Sequence, residues 1–123
     1  MTRKFVMTSI FESQWKRMNL TDDDLRRLQL EILQNPEQGV IIQGTGGLRK
    51  IRFALENRGK SGSTRVCYVD FIVHETIFLF TVYPKNEKDN LTQKEKNSFK
   101  AMVESLEKEL NMQVERSVYN ELL

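Results

Sequence analysis

Hydrophobic residues in this chain follow two different periods. In the first third they recur at helical spacing: Phe11, Trp15 and Met18 predict a helix over Ile10–Met18, and Leu25, Leu28, Ile32 and Leu33 form one stripe of a second helix. Thr21 stands three residues before Asp24 in an N-cap arrangement, and Asp22 and Asp23 place negative charge at the positive end of the helix dipole. The second helix ends near Gln34, because Asn35 precedes Pro36 and a residue before proline avoids helical geometry. With a short strand over Lys4–Met7 ahead of them, the two segments predict a strand followed by a helical hairpin. Phe11 and Trp15 read as core anchors of that hairpin.

From Leu48 the pattern becomes alternating. Leu48–Leu55 predicts a strand with Ile51 and Phe53 on one face and Lys50 and Arg52 on the other. A loop over Glu56–Thr64 leads to a strand over Arg65–Val73, and His74-Glu75 turns the chain into Thr76–Tyr83. That last strand, Ile77-Phe78-Leu79-Phe80-Thr81-Val82-Tyr83, is apolar on both faces, so it is expected to be central and covered. Thr92 and Glu95 form a capping box for a final helix with the stripe Phe99, Met102, Val103, Leu106 and Leu110. Residues 111–123 keep Met112, Val114, Val118, Tyr119, Leu122 and Leu123, too apolar for a solvated tail and too irregular to place. They are expected to be helical or to dock on the domain or on a partner. The predicted class is α+β, an antiparallel meander with helices before and after it.

Length and composition fit one folded domain: 123 residues, 39% apolar and 29% charged. The basic N-terminus lacks an apolar h-region and no later run approaches the ~18 apolar residues of a membrane span, which predicts a cytoplasmic protein. The single cysteine, Cys67, excludes an internal disulfide and reads as a buried, inert thiol.

Charge changes the picture more than composition does. Between Gly44 and Arg65, six cations (Arg49, Lys50, Arg52, Arg58, Lys60 and Arg65) face one acid, Glu56. The local excess is five in a chain of net charge +2, so the remainder is net negative by three. Gly46, Gly47, Gly59 and Gly62 interleave with these cations, a pattern suited to close approach of backbone and cations to a polyanion. Nucleic acid is the expected partner.

The order of elements and three motifs resemble the RelE/ParE superfamily of bacterial toxins, and within it the HigB-like branch. The motifs are Gln43-Gly44-Thr45-Gly46-Gly47-Leu48-Arg49-Lys50-Ile51-Arg52, Gly59-Lys60-Ser61-Gly62-Ser63-Thr64-Arg65-Val66-Cys67-Tyr68 and Val82-Tyr83-Pro84-Lys85-Asn86-Glu87. The resemblance covers about residues 4–110, and it implies a RelE-like toxin domain over 1–110 with residues 111–123 as an extension. It further implies a ribosome-dependent messenger-RNA endoribonuclease that works without metal or cofactor. A small antitoxin with a helix-turn-helix part, HigA-like, is the implied partner, beside the ribosome and its messenger RNA.

Metal-free RNA cleavage needs a base for the 2′-hydroxyl proton, cations at the phosphorus and an acid for the leaving 5′ oxygen. The only histidine, His74, falls in a predicted turn at the far end of the meander from Tyr83 and Lys85, which excludes a histidine pair. No HXH or CXXC pattern supports a zinc mechanism. Lysine, arginine and tyrosine remain, and Lys85, crowded by Arg65 and Arg52, is the leading base, since like charge favours neutral lysine. Matched to the family motifs, Arg65 holds the scissile phosphate with a two-pronged contact, and Tyr83 either stacks on a splayed base or protonates the leaving oxygen. Arg65, Lys85, Tyr83 and Arg52 form the candidate catalytic set; Lys50, Arg49, Lys60, Arg58 and Asn86 are the candidate RNA-binding residues. Pro84 stands where many relatives have glycine, and Asn86 where the RelE branch often has arginine. Tyr68 reads as a packing residue.

Two other readings stay open: a ParE-like toxin that poisons DNA gyrase, and a non-catalytic RNA- or ribosome-binding module. The antitoxin is expected either to cover the Lys50/Arg52/Arg65 face or to clamp the helical hairpin.

Overall fold

Thr8 sets the first corner of the chain. Its hydroxyl accepts from Phe11 N at 3.1 Å as the N-cap of a helix and donates to Phe80 O at 2.7 Å, so helix entry is tied to the sheet. The computed structural model of the chain describes residues 2–55 and 63–122, with 118–122 as backbone only. Arg58 and Lys60 lie outside the described residues. The elements are β1 (Lys4–Met7), α1 (Ser9–Arg17), α2 (Asp22–Gln34), β2 (Val40–Ile41), β3 (Arg49–Ala54), β4 (Ser63–Phe71), β5 (Thr76–Pro84) and α3 (Gln93–Leu122).

The strands form a five-stranded sheet in the order β1-β5-β4-β3-β2. β3, β4 and β5 are the expected antiparallel meander, and β1 joins β5 in parallel. β5 is therefore internal, and each residue from Thr76 to Tyr83 is buried, as an apolar run on both faces requires. One face carries α1 and α2: Phe11, Trp15, Leu28 and Ile32 pack on Ile51, Phe53, Val66 and Val82. Phe11 and Trp15 stack with ring centroids 5.3 Å apart. On the other face α3 lays Phe99 and Val103 over Cys67, Val69, Phe78 and Phe80. Each fully buried side chain of this size contributes about 1.5–3 kcal/mol, so two apolar layers hold the sheet between them.

The capping expectations hold. Thr21 and Asp24 close a capping box at α2, and Thr92 and Glu95 do the same for α3 at 2.9 and 3.1 Å. Three elements differ in extent or number from the sequence pattern. The last helix runs without a break past Leu110 to Leu122, 30 residues, which is the helical alternative for the segment after Leu110. It continues because the segment after Leu110 contains neither proline nor glycine to stop it. The β4 strand ends at Phe71 rather than Val73, because Ile72–His74 forms a 3-10 turn closed by Glu75 at φ 50°. A short edge strand, β2, absent from the expected elements, also pairs with β3, Val40 opposite Lys50 and Ile41 opposite Arg49.

The register of β4 against β5 jumps from Cys67↔Thr81 to Tyr68↔Leu79, leaving Phe80 as an extra residue on β5. Such a bulge increases local twist and re-aims neighbouring side chains.

Candidate active site

Arg52, Arg65 and Tyr83 occupy one row across β3, β4 and β5. Arg52 is the register partner of Arg65, and Arg65 that of Tyr83. Direct partners in an antiparallel pair share a face with Cβ atoms about 5 Å apart, and like charges placed so are unfavourable. Two contacts moderate the repulsion. Arg52 donates from Nε and Nη2 to Ser63 Oγ at 3.3 and 3.2 Å, and Arg65 donates from Nη2 to Asp89 Oδ1 at 3.2 Å. Lys50, two residues before Arg52 and so on the same face, donates from Nζ to Asp89 O at 3.2 Å and Asn90 Oδ1 at 3.0 Å. The Tyr83 hydroxyl also donates to Asp89 O, at 3.4 Å. Three of the candidate groups thus converge on Asp89, a residue the sequence reading did not single out.

Asp89 reaches the site because the connection from β5 to α3 folds back over the sheet. Leu91 is buried and anchors that connection in the α3 core, and the Thr92 cap fixes where the helix begins. The readable signal was an isolated leucine immediately before an N-cap, which pins the polar residues ahead of it against the strand ends.

Arg65 is 13% exposed, and its Nη1 is buried with no hydrogen-bond partner among the described residues. A buried donor left unmade costs about 1–3 kcal/mol, so the guanidinium keeps unused capacity for an anion. Burial pushes the Tyr83 hydroxyl above the ordinary phenol range; the neighbouring Cys67 adds to this and Arg65 opposes it in part. Tyr83 is therefore a proton donor at neutral pH and a poor base. Lys88 Nζ lies 4.9 Å over the Tyr83 ring and pairs with Glu95. Burial works against ionising Glu95, yet the Lys88 hydrogen bond and the Thr92 amide hold its carboxyl below the usual carboxylate range.

The remaining candidates are placed differently. Lys85 follows the end of β5, exposed; its main-chain N–H donates to Ser63 O at 3.2 Å, beside the hydroxyl that holds Arg52. Its ammonium makes no hydrogen bond or ion pair among the described residues. Asn86 is exposed in the same turn. Arg49 is not on the basic face: strand alternation turns it to the helical-hairpin side, where Nη1 donates to Glu37 O at 3.0 Å and Gly39 O at 2.8 Å. Its role is to hold the loop after α2.

The glycines also differ from expectation. Gly46 and Gly47, at φ 76° and 115°, turn the chain between β2 and β3, and a Cβ on Gly46 would touch Val103 of α3 at 3.5 Å. Buried Thr45 locks that turn, donating to Ile42 O and accepting from Leu48 N. These two glycines serve a packed turn rather than an approach to phosphate. Gly59 and Gly62 lie outside the described residues.

Tyr68 is buried; its hydroxyl donates to Pro36 O at 2.7 Å and accepts from Gly39 N at 3.2 Å, a packing and loop-holding role. Cys67 is buried and free, and burial pushes its thiol up to about 12. His74 sits at the opposite end of the sheet, 2.9 Å from Asn111 Oδ1. Among the described residues no three His, Cys, Asp or Glu side chains gather as metal ligands, and no helix is long and apolar enough to cross a membrane.

Comparison with known proteins adds two findings. A family model described as RelE toxin of RelE / RelB toxin-antitoxin system matches residues 3–123. The chain is also similar to the solved structure of E. coli toxin RelE, a double arginine-to-alanine mutant in the free state. That likeness has a TM-score of 0.52 at 17% identity and covers 72% of this chain and 90% of that chain. It is a likeness of fold: helices, a β-sheet and a C-terminal helix in an α+β arrangement.

Proposed function

We propose that this chain, which belongs to the RelE toxin family of RelE/RelB toxin-antitoxin systems, is a messenger-RNA endoribonuclease that acts on the ribosome and so inhibits translation. The observation that carries the reading is the Arg52–Arg65–Tyr83 row, in which a guanidinium with an unused buried donor stands next to a hydroxyl kept protonated. Solvated surface charge needs neither feature.

In the reaction proposed, Lys85 takes the proton from a 2′-hydroxyl. The freed 2′ oxygen bonds to the adjacent phosphorus while the bond from phosphorus to the 5′ oxygen breaks. Tyr83 gives its proton to that departing oxygen, leaving a 2′,3′-cyclic phosphate and a 5′-hydroxyl. Arg65 holds the phosphate oxygens, Arg52 adds positive charge beside it, and Lys50 grips a flanking phosphate. Side chains supply all of this, so no metal or cofactor enters the scheme. The branch is HigB-like, the setting is cytoplasmic, and the partner is an antitoxin with a helix-turn-helix part. Residues 1–110 form the toxin domain and 111–123 an extension available to that partner.

The test is induction of wild type and an Arg65→Ala/Lys85→Ala variant in bacteria, mapping of new messenger-RNA 5′ ends, and assay of the purified proteins on RNA with and without ribosomes. Ribosome-dependent cuts lost in a folded variant support the reading. DNA breakage through gyrase, or ribosome binding with no cuts by wild type, sinks it.

A further inference from the structure

Beyond Tyr83 the basic face drops into a groove of about 520 Å³ between α1 and the first turns of α3. Thr81 and Tyr83 of β5 line it, with Ile10 and Gln14 from α1 and Phe99 and Met102 from α3. Exposed Arg17 and Lys94 also line it, and an ion pair of Arg17 with Glu87 at 3.5 Å joins the end of α1 to the β5–α3 connection. The Oε1 atom of Gln14 is buried with no hydrogen-bond partner among the described residues, an unusual state for a buried side-chain oxygen.

We propose that this groove takes one unstacked nucleobase of a single-stranded RNA whose neighbouring phosphate lies on Arg65. The inference rests on the RNA-cleaving reading and adds to it a base-reading subsite. Three observations favour that occupant. Tyr83 is both the register partner of Arg65 and a wall of the groove, so the phosphate position and the groove are continuous. The groove joins aromatic and apolar walls to an amide with unmet capacity, the combination that stacks a base and reads its edge. Its volume falls in the ordinary range for small-ligand sites, and its charged lining, Arg17 paired with Glu87, Lys88 paired with Glu95, and Lys94, leaves an excess of one positive charge for an anionic chain. Lys88 now lies over the Tyr83 ring, and the entering base takes the place of that ammonium.

The test measures binding of the full-length protein to a short single-stranded RNA made uncleavable by 2′-O-methylation, intact or with one abasic position moved along it. Wild type, Gln14→Leu and Ser98→Trp are compared, Ser98 being an exposed residue that lines the groove. Thermal melts confirm folding. One abasic position is expected to weaken wild-type binding by about tenfold, the size of one lost base stack. Ser98→Trp should bind the intact RNA only as tightly as wild type binds the abasic one, and Gln14→Leu should change the ranking of the four bases at that position. Equal binding of intact and abasic RNA by wild type overturns the proposal, as does undiminished binding by folded Ser98→Trp. If Ser98→Trp keeps base-dependent RNA binding but escapes its antitoxin, the groove belongs to the antitoxin and the proposal fails. Cleavage is scored separately: base-dependent binding without cuts retains the subsite and sinks the nuclease, whereas cuts without base dependence sink the subsite alone.

Discussion

Arg65 and Asp89 make an ion pair of unequal partners. The guanidinium is 13% exposed and set in the sheet; the carboxylate, 3.2 Å away, is 63% exposed and rides on the β5–α3 connection. An exposed carboxylate held this way contributes about 0–1 kcal/mol, little enough for an incoming phosphate to replace it. In the proposed reaction Asp89 thus stands where the substrate phosphate would bind, without closing the site.

Removing that competitor should help the substrate. Asp89→Asn is expected to tighten binding of uncleavable single-stranded RNA by about fivefold at low salt, the equivalent of one weak surface pair. The main-chain contacts from Lys50 and Tyr83 to residue 89 do not depend on its carboxylate. Fluorescence anisotropy across a salt series measures this, and unchanged or weaker binding refutes the competition.

Tyr83→Phe should lower the rate of cleavage by about 10²-fold with little change in KM, as expected for loss of a proton donor. The sign of the pH dependence follows from the raised hydroxyl: the donor form is complete at neutral pH and is lost only on the alkaline side of the ordinary value, 10.0. Ultraviolet titration of the folded protein should accordingly show a late phenol that the variant lacks. A variant as active as wild type would leave Tyr83 a groove wall and nothing more.

Arg3 meets Asp70 in a two-pronged contact, Nε to Oδ1 at 2.8 Å and Nη2 to Oδ2 at 3.1 Å, with side chains 11% and 6% exposed. This pair ties the residue before β1 to β4 across β5. Asp70→Asn leaves the arginine without its countercharge and is expected to cost about 3 kcal/mol, seen as a lower urea midpoint at unchanged slope. A loss near zero would show that water replaces the carboxylate.

Cys67 gives a probe of folding. With its thiol pushed up to about 12 and its side chain fully buried, alkylation of the native protein should proceed only through unfolding. Labelling by iodoacetamide should therefore track the urea transition, and fast labelling without denaturant is the contrary result.

Truncation after Asn111 keeps Leu106 and Leu110, which pack on the α3 core, and the Asn111 contact to His74. Met112 and Val114 beyond it are 39% and 50% exposed. The shortened chain should melt within about 5 °C of the full one, since Met112 and Val114 bury little apolar area, and should still cut RNA. A lost function is expected in antitoxin binding, measured by co-purification; a collapsed melt would show that the distal helix holds the domain together.

Short-range chemistry in the sequence determined most of the elements, the short edge strand β2 excepted. Thr21 with Asp24 and Thr92 with Glu95 fix helix starts through side-chain contacts three residues apart, Pro36 ends α2, and the doubly apolar run Ile77–Val82 can only be an internal strand. Alternation alone also put Lys50 and Arg52 opposite Ile51 and Phe53. Tertiary structure decided what those rules cannot reach. Register, a long-range property, aligned Arg52, Arg65 and Tyr83; the same alternation turned Arg49 to the far face, where distant main-chain carbonyls occupy it. The burial of Leu91 brought Asp89 onto the basic row. The groove beside Tyr83 exists because α1, which ends at Arg17, and α3, which begins at Gln93, border the same strand. A sequence states which side chains are available within a turn or a strand, whereas contacts between residues tens of positions apart depend on how whole elements pack, and the candidate site is made of such contacts.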